Sequence, residues 1–188
     1  MMSSPNPPGD PRDPPVSLIL LPAVVLHALL QGDLVTASTV VGAELPPFFL
    51  TQDWLWRLRL NQITTDPDTA PWLVRAVIAP EQDTVVGHAG FHGPPDVHGM
   101  VEIGYRILPE FQRRGYGRAA ARELIRYAAA VPDVRVVRAS ISPDNVASLG
   151  LVGTLGFRHA GEQWDEDDGR ELIFERPLRD QRNAGVQA

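Results

Sequence analysis

The chain has 188 residues, 44% of them hydrophobic and 21% charged, enough for one domain with a full core and short tails. Its formal net charge of −6 works against non-specific nucleic-acid binding. Cysteine is absent and arginine supplies all 17 basic residues, which excludes disulfides, thiolate nucleophiles, cysteine-ligated zinc, lysine phosphate loops and lysine Schiff bases.

Residues 1–15 hold six prolines without apolar periodicity and read as an extended, disordered tail. The apolar run Val16–Leu30 is shorter than the about 20 residues a bilayer span needs, and Pro22 and His27 interrupt it. Asp10, Arg12 and Asp13 precede it, rather than the positive cluster of a signal peptide. It is therefore read as strand 16–21 running into helix 23–30, in a cytoplasmic protein without a membrane partner. A second helix follows at 33–41, and Pro46-Pro47 breaks the pattern. Thr51 is expected to cap a helix carrying Trp54, Leu55, Leu58 and Ile63 on one side. Strands at 72–79 and 84–92 are joined through Pro80-Glu81-Gln82-Asp83. Strand 101–108, helix 115–130, strand 134–141, helix 145–155 and a hairpin of 157–163 with 170–175 complete the order, the hairpin turning at Asp165–Gly169. The order predicts an α/β chain of the α+β kind, with a mixed, mostly antiparallel sheet and helices on both faces. It forms one domain over 16–178, with a flexible tail at 179–188.

The segment Gln112-Arg113-Arg114-Gly115-Tyr116-Gly117-Arg118 lies between a strand and a long helix. The first N–H groups of a helix have no intrahelical partner and the macrodipole adds partial positive charge, so an anion satisfies both. Gly115 and Gly117 remove the Cβ atoms that would hold a diphosphate away from the backbone. Arg113, Arg114 and Arg118 flank those N–H groups. Arg122 and Arg126 are read instead as solvated, or paired with Glu123.

The strand Val101-Glu102-Ile103-Gly104-Tyr105-Arg106-Ile107, this loop, Ser142 to Ser148, and Leu155-Gly156-Phe157 together resemble the GNAT superfamily of acetyl-coenzyme A-dependent N-acetyltransferases. The likeness is to its ribosomal-protein N-terminal acetyltransferase branch. It implies a sheet that splays between strands 101–108 and 134–141, with pantetheine paired to free backbone groups of Ile107 and Leu108. A backbone N–H there would stabilise the oxyanion. The diphosphate would lie on Gln112, Arg113, Arg114, Gly115, Tyr116, Gly117 and Arg118. Asn145 would bind the pantetheine arm as well as cap its helix. Acetyl-coenzyme A is then the cosubstrate, and the acceptor is a small amine or a protein N-terminus, with a homodimer among the allowed assemblies. The alternatives are a larger acyl donor, or a coenzyme A-binding sensor that has lost catalysis.

Alternation puts Val101, Ile103, Tyr105 and Ile107 on one strand face and Glu102 with Arg106 on the other. Glu102 is therefore either the base that deprotonates the amine or a structural partner of Arg106. Many superfamily members carry a tyrosine seven residues after the asparagine; here that position is Val152, and Ser148 is the substitute proton donor. His88 and His92 share a strand face and either is expected to help position the acceptor. The Gly93-Pro94-Pro95 loop gives His92, Asp96 and His98 no defined ligand geometry, so no metal is expected. Trp54, Trp56 and Pro46–Phe49 are read as core, and an acidic hairpin overhanging the site would favour a cationic amine.

Overall fold

Alternation decides which way each central strand faces, and the computed structural model, which describes residues 13–166 and 169–178, follows it. Seven strands run in the order β1-β2-β3-β4-β5-β7-β6. They are β1 Ser17–Leu20, β2 Arg75–Ala79, β3 Thr84–Phe91, β4 Met100–Ile107, β5 Val136–Ile141, β6 Arg158–Asp165 and β7 Gly169–Pro177. Every neighbouring pair is antiparallel except β4 with β5. Helices α1 Ala23–Leu30, α2 Leu34–Val41 and α3 Asp53–Thr65 cover one face, while α4 Tyr116–Ala129 and α5 Val146–Thr154 cover the other.

Two apolar layers result. Val77, Phe91, Val101 and Ile103 pack beneath Ala120, Leu124 and Ile125 of α4. Burying side chains such as Leu124 and Ile125 stabilises the fold by about 1.5–3 kcal/mol each. On the opposite face Ala76 and Ile78 pack with Leu26, Ala37, Phe49 and Trp56. Among the described residues no helix is long and apolar enough to cross a membrane.

Several local expectations need correction. Thr51 does not cap α3, because its hydroxyl donates back to the Phe48 carbonyl at 2.7 Å inside a 3-10 turn, Pro47–Thr51. The buried side of α3 is Leu55, Trp56 and Arg59, while Trp54 and Leu58 are exposed. Trp72 ends a second 3-10 turn, Pro67–Trp72, whose prolines cannot donate to a ladder, so β2 begins only at Arg75. Residues 13–15, grouped with the tail by their prolines, run against the start of α4. There the Asp13 carboxylate meets Arg118 Nε at 2.5 Å and Arg122 Nε at 2.9 Å. The expected tails at 1–12 and 179–188, and Asp167-Asp168 of the acidic turn, lie outside the described residues.

Candidate functional site

β4 and β5 run side by side only through Met100–Val136, Val101–Val137 and Glu102–Arg138, and then part. Past Glu102, β4 keeps its partner on one edge alone. His92 N–H donates to the Glu102 carbonyl and Leu108 N–H to the Val86 carbonyl, so the even-numbered residues of β4 face β3. The main-chain groups of Tyr105 and Ile107 therefore turn toward the gap that β5 has left. Leu108 does not share this role: its N–H is taken by Val86, and its carbonyl accepts from Phe111 N–H at 2.9 Å. The Ile107 carbonyl accepts from Gln112 Nε2 at 3.0 Å, leaving its N–H toward the gap.

The gap opens into a cleft of about 790 Å³, lined by residues of β4, the loop before α4, the first turn of α4 and the start of α5. Gly115 sits in the left-handed region at φ 88°, directly before α4, and Ala119 N–H to Gly115 O is the first closed turn at 3.0 Å. The N–H groups of Tyr116, Gly117 and Arg118 precede that closure and lack intrahelical acceptors. A Cβ on Gly117 would stand 3.1 Å from the Tyr105 ring, so glycine keeps this wall open. Gln112, Arg113, Gly115, Gly117 and Arg118 line the cleft. Arg114 and Tyr116 do not. The Arg114 guanidinium lies over the Phe111 ring at 5.6 Å, and the buried Tyr116 hydroxyl accepts from Gln82 Nε2 at 2.9 Å. Arg126 pairs with Glu123 at 2.6 Å, as expected, whereas Arg122 turns to Asp13.

Across the cleft, Asn145 caps α5, its Oδ1 accepting from Ser148 N–H at 3.1 Å. That leaves its amide nitrogen as a donor beside the lining residues Ala147, Ser148 and Leu151. Val152 is buried in the core. The phenol next to Ser148 comes from β4 instead: Tyr105 Oη and Ser148 Oγ are 3.1 Å apart. Burial holds this phenol above its ordinary pKa, and the Ser148 hydrogen bond pulls only partly against that. Sequence reasoning assigned Tyr105 to the strand's apolar face. The signal it passed over was a hydroxyl among Val101, Ile103 and Ile107.

A second cavity, about 200 Å³, lies on the α3 face of the sheet and shares Tyr105 and Arg106 with the first. Gly90 and Gly104, directly opposite in the β3–β4 register, both line it. Around them stand Gln52, Trp54 and Arg59 from the α3 side, with His88, His92 and Arg106. Trp54 is thus a wall of this cavity, while Trp56 is core, its indole N–H donating to the Phe49 carbonyl at 2.6 Å. Burial among Phe48, Phe49 and Trp56, with Arg106 and Arg59 adding like charge, lowers the His88 pKa to about 4. Glu102 lines neither cavity. It stands at the apex of the splay, its Oε1 3.8 Å from His92 Nδ1. The Glu102–Arg106 pair does not form, because Arg106 bonds Gln52 Oε1 at 3.2 Å and lies over the Phe48 ring. Asp96 is used locally, its carboxylate accepting from the His98 and Met100 N–H groups at 2.8 Å.

A family model described as an acetyltransferase (GNAT) domain matches residues 31–158. The chain belongs to the GNAT acetyltransferase family. Among curated GNAT relatives, the uncharacterized N-acetyltransferase YjdG of Bacillus subtilis (strain 168) is 35% identical over 81 residues, 43% of this chain and 48% of that protein. The uncharacterized N-acetyltransferase p20 of Bacillus licheniformis is 29% identical over 100 residues, 53% of this chain and 56% of that protein. The chain spans about half the length of the curated relatives it matches.

The GNAT fold also appears in solved structures. A ribosomal L7/L12 α-N-protein acetyltransferase, RimL, in complex with coenzyme A has TM-score 0.64 at 18% identity, covering 90% of this chain and 98% of that one. A point mutant of the spermidine N-acetyltransferase SpeG of Vibrio cholerae has TM-score 0.60 at 16% identity, covering 86% and 93%. At these identities the likeness is one of fold.

Proposed function

We infer that the protein transfers an acetyl group from acetyl-coenzyme A to a primary amine, within a complex holding both substrates. The observation that carries this reading is the pair of cavities meeting at Tyr105 and Arg106, one under the bare start of α4 and one under α3. The larger suits a long, anionic cosubstrate. The N–H groups of Tyr116, Gly117 and Arg118 and the Arg113 side chain would hold its diphosphate, with Gln112 fixing the loop and the Arg118 guanidinium exchanging its Asp13 partner for the phosphate. The main-chain edge of Tyr105 and Ile107 and the Asn145 amide would hold its pantetheine amides. When bound, the cosubstrate supplies a thioester carbonyl carbon as the electrophile.

The rest belongs to the chain's own residues. The Ile107 N–H, turned into the gap, donates to the carbonyl oxygen as charge builds there. Glu102, which lines neither cavity, takes one proton from the amine through a water or through the His92 imidazole beside it. The new C–N bond forms as the C–S bond breaks, and Tyr105, kept protonated by burial, donates its proton to the departing sulfur. Ser148 holds that phenol in place. Tyr105 thus supplies the hydroxyl that Val152 cannot.

The test is thiol release from acetyl-coenzyme A across a panel of amines, repeated with propionyl- and succinyl-coenzyme A. Acetyl-coenzyme A should give the highest kcat/KM with at least one amine. Stabilisation by coenzyme A without thiol release on any amine would mark a binding protein, and faster release from a longer donor would reassign the acyl group.

A further inference from the structure

The 200 Å³ cavity under α3 contains two guanidinium groups that lack a carboxylate partner among the described residues. Arg59 is 8% exposed, yet its bonds go to neutral acceptors, Gln62 Oε1 at 2.8 Å and the His92 carbonyl at 3.0 Å. Arg106 has Gln52 and the Phe48 ring. His88, 7% exposed, contributes an Nε2 atom that has no hydrogen-bond partner. The charged and titratable groups lining the cavity are Arg59 from α3, His88 from β3, His92 from the loop after β3, and Tyr105 and Arg106 from β4. The Glu102 carboxylate is set back beside His92. Asp53, at the start of α3, is turned to Arg57. Asp165 and Glu166 of the acidic hairpin line neither cavity.

A buried charge without a counter-ion is strongly unfavourable, and so is an unbonded buried ring nitrogen. A ligand that brings negative charge relieves the first, and a polar group on that ligand satisfies the second. Arginine's planar fork matches carboxylate and phosphate oxygens, which accept two parallel hydrogen bonds. A polyamine, by contrast, would set ammonium groups against two guanidiniums in a partly dry site, a like-charge arrangement that disfavours binding. The cavity is also smaller than the roughly 300–1,000 Å³ typical of drug-sized ligands, which fits a compound about the size of an amino acid.

We propose that the acceptor is a small primary amine carrying an anionic group, a carboxylate or phosphate, which Arg59 and Arg106 grip while the amine faces Glu102 and the splay. This deepens the acetyl-transfer reading and rests on it. It also separates this chain's acceptor from the spermidine named for its fold neighbour SpeG.

The first arm of the test is binding, which does not depend on turnover. Coenzyme A-saturated protein is titrated with 4-aminobutyrate, O-phosphoethanolamine, n-butylamine and spermidine, followed by thermal shift and calorimetry. The two anionic amines should bind and raise Tm, the tighter of them identifying the preferred anion, while butylamine and spermidine should not bind. Arg59→Gln and Arg106→Gln should each weaken the better anionic amine by about tenfold or more, the loss of a charge-assisted hydrogen bond. Stabilisation of each variant by coenzyme A reports that it is folded, and Arg106 is exposed enough for its variant to fold regardless.

Binding of butylamine or spermidine as tight as that of the anionic amines, no binding of either anionic amine, or folded variants with unchanged affinity would overturn the proposal. The second arm is thiol release with the same four amines. Turnover of butylamine or spermidine with equal or higher kcat/KM defeats the anionic acceptor and leaves acetyl transfer standing. Binding of an anionic amine without thiol release on any amine removes acetyl transfer and leaves the anion site supported.

Discussion

Tyr105 on β4 and Ser148 on α5 meet hydroxyl to hydroxyl at 3.1 Å, across the mouth left where β5 departs. The strand that turns main-chain groups toward the gap thereby also presents a phenol, and the helix that carries Val152 supplies the serine hydrogen-bonded to it. In the proposed mechanism, two elements share a task that the family motif assigns to one.

Tyr105→Phe keeps the ring against Gly117 and removes only the hydroxyl. It should lower kcat by about 10²-fold, in the range for loss of a general acid, with coenzyme A affinity unchanged. Ser148→Ala should have a smaller effect in the same direction. Steady-state kinetics beside calorimetry decides this, and a Tyr105→Phe enzyme with full kcat removes the phenol from the mechanism.

Glu102→Gln preserves shape at the apex of the splay and removes the proton acceptor. The expected result is a fall in kcat/KM of about 10²-fold or more at neutral pH, with the coenzyme A dissociation constant moved little. His92→Gln should lower the rate less if a water relays the proton to Glu102, and as much if the imidazole does.

Gly117→Glu places a charged side chain where a Cβ would already stand 3.1 Å from Tyr105 and 3.5 Å from Leu151. Binding of coenzyme A, measured by calorimetry, should be abolished while far-ultraviolet circular dichroism stays as in the wild type. A Gly117→Glu protein that binds as before would detach the diphosphate from this loop.

His88 has a pKa lowered to about 4 against an ordinary 6.5. Above pH 6.5 the ring is neutral in both folded and unfolded chains and adds no pH slope. As pH falls from 6.5 to 4 the unfolded chain takes up the proton first, so folding stability is lost across that window, reaching about 3 kcal/mol. Urea denaturation at about pH 7 and about pH 4.5, on either side of most of that window, should show His88→Gln losing less stability on acidification than the wild type. Equal losses would mean that the buried ring does not titrate in this way.

Much of the fold was legible because its signals are local. Alternation in Val101–Ile107 fixes which side chains face α4, and Gly115 before an apolar helical stripe marks a helix start with bare N–H groups. What was not legible depends on distant partners. Leu108 looks like any strand end until Val86 and Phe111 take both its main-chain groups. Arg59 occupies a place in the buried stripe of α3 where an apolar residue belongs, and that mismatch was its signal, but its meaning needs Arg106 and His88 brought from the sheet. Asp13 sat in a proline-rich segment that gave no reason to expect two arginine partners on α4.

Acetyl transfer as proposed requires the start of α4 to recognise a diphosphate. Comparing coenzyme A with pantetheine, which keeps the thiol arm and lacks the diphosphate together with the 3′-phosphoadenosine, tests that contact, and 4′-phosphopantetheine, which adds back one phosphate alone, assigns the gain to it. Titration calorimetry should show coenzyme A binding at least about 10²-fold tighter, equivalent to two charge-assisted hydrogen bonds, with the advantage shrinking as salt rises. Pantetheine binding as tightly as coenzyme A, or no binding of coenzyme A at all, would contradict it.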